Sequence, residues 1–96
     1  MFICAMYDIP SPKRLQKAAK LCQRTGLQRI QKSVYLGKLT LTQLEEVREK
    51  ALRWLDTEED QFLLIPISRD DLSRSIDLGR SCGIEDLLSV HAALFF

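Results

Sequence analysis

The sequence predicts an α+β fold, an open antiparallel sheet with two helices packed on one of its faces. Two apolar runs, residues 2–7 and 62–67, have the length and boundaries of strands. Two stretches, from Ser11 and from Thr40, repeat their apolar residues at helical spacing. Between the helices, residues 27–39 are rich in extended-chain formers such as Ile30, Val34, Tyr35 and Leu36. The resulting order is strand, helix, strand or strand pair, helix, strand, which the ferredoxin-like βαββαβ sandwich satisfies. With 96 residues, of which 46% are hydrophobic, the chain holds one small core, and dimerisation is expected as a way of burying more surface.

The first strand, Phe2 to Tyr7, is bounded by Asp8 and Pro10. Ser11 is suited to cap the first helix and Pro12 to open it. Leu15, Ala18, Ala19 and Cys22 form its apolar side, and Gly26 ends it as a left-handed cap. Lys13, Lys17, Lys20 and Arg24 fall on one solvent-facing stripe. Residues 27–39 read either as one long strand or as a tight kinked pair, with Gly37 allowing a bulge or bend. Thr40 with Gln43, and Thr42 with Glu45, are overlapping capping-box candidates for the second helix. Its apolar face is Leu41, Leu44, Val47, Ala51 and Leu55, with Glu45, Glu46 and Glu49 in the first turns. Asp56 to Asp60 forms an acidic loop. Pro66 places the end of the last strand at an edge or bulge. Beyond it, Asp70 to Arg74 reads as a helical turn, Ser75 to Leu78 as a short strand, and Leu87 to Phe96 as a helix or a strand. The expected organisation is a domain over residues 1–79 and an extension over 80–96, packing on the core or on a dimer partner.

No apolar stretch is long enough to cross a bilayer, and no basic region precedes the apolar opening, so a cytoplasmic protein is expected, without a membrane partner. Cys4, Cys22 and Cys82 lack metal-ligand spacing and read as small hydrophobes, and His91 reads as structural. The net charge of +1 conceals a segregation. Residues 1–44 hold eight basic residues and one acid, a balance of +7, whereas residues 45–96 hold six basic residues and twelve acids, a balance of −6. The basic residues of the first half include Lys13, Arg14, Lys17, Lys20, Arg24, Arg29 and Lys32, candidates for contact with a polyanion. The plain alternative is that the two halves interleave in space and neutralise each other.

The sharpest local feature is Tyr7-Asp8-Ile9-Pro10, a carboxylate at the tip of a central strand beside a helix start. Asp8 could simply cap the turn into the helix. It is also the single acid of the first 44 residues and lies next to the basic helix. One carboxylate makes a poor Mg²⁺ site. Two copies of Asp8 across a dimer two-fold would offer two carboxylates to one Mg²⁺ or Mn²⁺ ion, which could polarise a phosphodiester and activate water.

These residues resemble a known family. Tyr7-Asp8-Ile9, the basic helix with Lys13, Arg14 and Lys17 closed by Gly26, and Arg29-Ile30-Gln31-Lys32-Ser33-Val34-Tyr35-Leu36-Gly37 follow, in order and spacing, the small CRISPR-associated protein of the spacer-acquisition machinery. That protein, the second of the Cas series, is often called a CRISPR-associated endoribonuclease. The resemblance covers residues 2–67 and is looser to Gly79, and Tyr35 stands where the family usually has phenylalanine. It implies Asp8 as the catalytic and metal-ligating carboxylate. It also implies Tyr7, Arg14, Arg29, Ser33 and Tyr35 as residues that contact nucleic acid or support the site. Two functions follow from it. One is a dimeric adaptor that holds a double-stranded prespacer and bridges copies of the CRISPR integrase subunit. The other is a metal-dependent endonuclease acting on RNA or DNA. The residues favour binding over catalysis, because the basic stripe is extensive and no histidine or lysine base lies clearly near Asp8. A toxin-like ribonuclease of the same fold, or a non-catalytic nucleic-acid-binding domain, is the alternative.

Overall fold

The computed structural model describes residues 1–93, with side chains through Leu88. Four strands form one antiparallel sheet: β1 (Phe2–Asp8), β2 (Gln28–Gln31), β3 (Val34–Lys38) and β4 (Gln61–Ile67). Their order across the sheet is β2-β3-β1-β4. The long helices are α1 (Pro12–Arg24) and α2 (Leu41–Leu52); α3 (Arg69–Ser73) and α4 (Ile84–Ala93) follow β4. This is the predicted ferredoxin-like sandwich.

Side chains alternate across β1 and sort the molecule into two apolar layers. Ile3, Ala5 and Tyr7 pack with Ala18, Leu21, Cys22, Tyr35, Val47 and Ala51 under the two long helices. Phe2 and Leu36 face the other way and pack with Leu72 of α3. Ile84 and Leu87 of α4 rest on the same cluster, together with Cys4 and Ile67. The start of the C-terminal extension thus packs on the core as a helix. Leu94 to Phe96 lie outside the described residues, as does the side chain of His91.

The helix boundaries follow from their caps. Ser11 Oγ accepts from the Arg14 N–H at 3.3 Å, and Pro12 occupies the first turn of α1. Gly26 reverses the chain at φ 92°, a backbone that favours glycine. Of the two overlapping boxes before α2, Thr40 and Gln43 make the real one, each side chain accepting from the other's N–H at 3.1 and 2.8 Å. Because α2 therefore begins at Leu41, its first turn contains no acid, and Glu45, Glu46 and Glu49 lie beyond reach of the helix start. Leu55 still reaches the core, but from the turn after the helix.

Residues 27–39 form a hairpin, with Lys32 and Ser33 in the turn. The irregularity expected at Gly37 falls instead in β2, between Arg29 and Gln31. Gly37 pairs regularly with Ile3, and its role is space, since a Cβ there would stand 2.8 Å from Leu27 Cδ2 and 3.2 Å from Leu27 Cα. Pro66 lies in β4, an edge strand of the sheet, as its missing N–H requires. The strand expected over Ser75–Leu78 does not form. The segment lines a cleft with Ile30 and Gln31 of the edge strand β2 without pairing to it, and Ile76 and Leu78, 83% and 84% exposed, gain no burial that would hold a strand there.

Candidate nucleic-acid interface

Asp8 ends β1 opposite Gln61, the first residue of β4. Alternation turns it away from the helices, onto the face that carries Met6, Leu63 and Ile65. Its side chain is exposed and accepts no hydrogen bond among the described residues. The capping duty at α1 belongs to Ser11, so the plain reading of Asp8 as a cap is not what the fold uses it for. Among the described residues no cluster of three or more histidine, cysteine or acidic side chains could hold a metal. One chain therefore brings a single free carboxylate to this point.

Three other segments reach the same end of the sheet. The Ser33 carbonyl accepts from the Tyr7 N–H at 3.1 Å, which sets the β2–β3 turn beside the end of β1. Arg29 Nη2 donates to the Lys32 carbonyl at 2.9 Å and braces that turn, and both residues are exposed. The start of α1 brings exposed Lys13. Arg14 has a different occupation. Its Nε donates to Asp60 Oδ2 at 2.7 Å and its Nη2 to Asp60 Oδ1 at 3.2 Å and Glu59 Oε2 at 3.0 Å. Asp60 in turn accepts from the Asp56 N–H at 2.9 Å, and its side chain has no exposed surface. The Arg14 hydrogen bonds, then the backbone bond from Asp56, hold the Asp60 carboxyl below the ordinary carboxylate range, against the opposing effect of its burial. The acidic loop is thus folded around one arginine, and the pair fixes the start of α1 to the start of β4.

Tyr7 and Tyr35 lie on the helix side. Their rings stack with centroids 6.2 Å apart, Phe62 follows at 5.8 Å from Tyr7, and Trp54 meets Phe62 edge-on at 6.5 Å. Tyr35 is completely buried, and Gln23 Nε2 donates to its hydroxyl at 3.4 Å. Burial, then the hydrogen bond to Tyr35, push the Tyr7 phenol well above its ordinary range. These two rings support the strand end from beneath rather than facing solvent beside Asp8. Burial also pushes the Cys22 thiol up to about 12 and raises that of Cys4, which disfavours the reactive thiolate at both.

The remaining cations of α1, Lys17, Lys20 and Arg24, turn toward α2. With Lys50 and Arg53 of that side they line a groove of about 490 Å³, which Trp54 also lines. Lys50, Arg53 and Trp54 were not legible as partners of α1, because they lie in the half of the sequence that is acidic on balance.

The fold and this arrangement can be set beside known proteins. A family model described as CRISPR associated protein Cas2 matches residues 1–75, from β1 through α3. The chain belongs to the Cas2 family. A relative from Desulforudis audaxviator named CRISPR-associated endoribonuclease Cas2 is 29% identical over 80 residues, 83% of this chain and 76% of the relative. Another of that name, from Thermofilum pendens, is 32% identical over 75 residues, 78% of this chain and 80% of its own. Among solved structures, Streptococcus pyogenes Cas2 superposes with a TM-score of 0.72 at 27% identity, covering 82% of this chain and 100% of that one. A hypothetical protein from Thermus thermophilus, TT1823, superposes at 0.73 with 31% identity, covering 83% and 92%. The Cas2 match takes in Asp8, the β2–β3 turn and the acidic loop, while α4 lies beyond it. Among the described residues no helix of this Cas2-family chain is long and apolar enough to cross a membrane.

Proposed function

We propose that this Cas2-family protein works in CRISPR adaptation as a dimer that binds double-stranded nucleic acid and bridges integrase subunits, with metal-dependent phosphodiester cleavage at Asp8 as an attendant activity. The observation that carries this reading is Asp8 itself, an exposed carboxylate that accepts no hydrogen bond among the described residues, at the end of the sheet where the exposed cations Lys13, Arg29 and Lys32 also stand. A phosphate-contacting surface needs only charge and position, and these residues have both. Lys17, Lys20 and Arg24 add positive charge farther along α1, on the side turned toward α2, and Arg14 sets the helix start in place.

The donor set fits a divalent ion only in part. One chain supplies one carboxylate, and a second copy, docked through the open sheet face, supplies the other. Mg²⁺ or Mn²⁺ bound between the two Asp8 side chains would supply charge that polarises the phosphodiester and lowers the pKa of bound water. The chain's own part is to bind the ion through Asp8 and to hold the flanking phosphates with Lys13, Arg29 and Lys32. The name endoribonuclease carried by the relatives favours RNA as one substrate of that activity.

The test measures binding of duplex DNA with and without the integrase subunit, together with Mg²⁺- and Mn²⁺-dependent cleavage, for wild type and Asp8→Asn. Duplex binding and integrase bridging retained by Asp8→Asn, with cleavage abolished, is the expected result. Cleavage at the wild-type rate removes the catalytic role and leaves the adaptor, whereas absence of duplex binding by the wild type overturns the reading.

A further inference from the structure

The groove between α1 and α2 has a composition that packing does not require. Lys17, Lys20 and Arg24 line it from one helix and Lys50 and Arg53 from the other side, against one carboxylate, Glu46. All six are exposed. Among the described residues none of the five cations forms an ion pair or a side-chain hydrogen bond. Like charges held around one cleft repel each other, which costs the folded state stability unless an anion is bound there. The groove is also not uniformly polar. Leu21 and Val47, both buried, form its floor, and half-buried Trp54 stands in its lining with its ring anchored on Phe62.

Charge around the rim and a fixed aromatic ring within it are the two components of a site for single strands. Cations track the phosphodiester backbone, and an aromatic face takes a base by stacking whatever its identity. Neighbouring helices pack at axes about 8–10 Å apart, so the furrow between them is narrower than a duplex and admits one strand. The cavity of about 490 Å³ is within the range of roughly 300–1,000 Å³ usual for ligand clefts. We propose that the α1–α2 groove binds a single nucleic-acid strand, its phosphates on Lys17, Lys20, Arg24, Lys50 and Arg53 and one base on Trp54, at a site separate from the Asp8 end. This deepens the nucleic-acid reading above and rests on it.

The chain contains one tryptophan, so its fluorescence reports on the groove alone. The full-length protein is titrated with oligo-thymidylate, with a blunt duplex, and with poly-glutamate as an acidic polypeptide. Quenching of Trp54 by oligo-thymidylate but not by the blunt duplex is expected. Lys50→Glu with Arg53→Glu, changes at exposed positions that leave the core intact, is expected to weaken single-strand binding by at least tenfold and to leave duplex binding near wild type. Trp54→Leu is expected to weaken it roughly five- to 150-fold, the range for loss of one stacked base. Single-strand binding without quenching, or binding unaffected by the Lys50→Glu/Arg53→Glu pair, overturns the groove and leaves the Asp8 reading standing. Poly-glutamate that quenches Trp54 and displaces oligo-thymidylate overturns the choice of nucleic acid as occupant. Failure of the wild type to bind either single strand or duplex overturns both readings together.

Discussion

Tyr7 and Asp8 are neighbours in sequence and face opposite sides of the sheet, so each can be changed without disturbing the other's surroundings. Asp8 accepts no hydrogen bond among the described residues, and Asp8→Ala is expected to change stability by no more than about 0.5 kcal/mol, as for an ordinary surface substitution. A capping aspartate would cost about 0.5–2 kcal/mol instead. Thermal unfolding of Asp8→Ala beside wild type separates the two cases, and a large loss would mean that the carboxylate has a structural duty. Asp60 gives the contrasting case. Its folded-state pKa is held below the unfolded value by the Arg14 hydrogen bonds, so its contribution is fully present above the unfolded carboxylate pKa of about 3.9. That contribution disappears as pH falls through the unfolded and then the folded value. Melting temperatures followed from neutral pH into acid are expected to fall less steeply for Asp60→Asn than for wild type, from a lower starting point. Equal slopes would show that the Arg14–Asp60 pair is not what acid breaks. Tyr7-Asp8-Ile9-Pro10 is legible in the sequence because a strand tip followed by proline fixes where the carboxylate must stand. The duty of Arg14 is not legible there, since its acceptors arrive from 45 and 46 residues further along.

At the scale of elements, close approach and charge decide. Leu27 lies over Gly37 so tightly that Gly37→Ala must displace buried side chain and backbone, with an expected cost of about 1–3 kcal/mol. A denaturant midpoint unchanged from wild type would show that Leu27 can yield. The β2–β3 turn makes a different forecast. Charge reversal of Lys13, Arg29 and Lys32 together is expected to weaken duplex binding and to flatten its dependence on salt, by about 0.9 in log–log slope for each B-DNA phosphate that is no longer neutralised. An unchanged slope would mean that these cations are only solvated surface. Both helices are readable from periodicity and caps, because Ser11-Pro12 and Thr40 with Gln43 state their own geometry. The hairpin is not, because Lys32-Ser33 lacks the glycine or asparagine that marks most tight turns. Counting charge along the chain separates Lys50 and Arg53 from Lys17 and Lys20, whereas folding sets α2 against α1 and unites them.

For the whole molecule, the open part of the sheet matters most. Leu63 and Ile65 are 41% and 38% exposed on the face that carries Met6 and Asp8, next to the part that α3 and α4 cover. An apolar face of this kind is a docking surface for a second copy in the reading proposed above. Leu63→Lys with Ile65→Glu is expected to give a monomer by light scattering with an unchanged far-ultraviolet spectrum. A stable wild-type monomer at micromolar concentration would count against the dimer altogether. The strand order has a consequence of another kind. β1 is central, hydrogen-bonded to β3 on one side and to β4 on the other, although β4 ends only at Ile67. During synthesis the first strand can gain its β3 neighbour early, but its second edge stays open while α2, the acidic loop and β4 are still being made. At about 5–20 residues per second that interval is on the order of seconds, with a bare apolar edge presented to every other chain on the same message. A chain that has paired β1 with β3 and not yet with β4 is therefore open to mispairing along that edge.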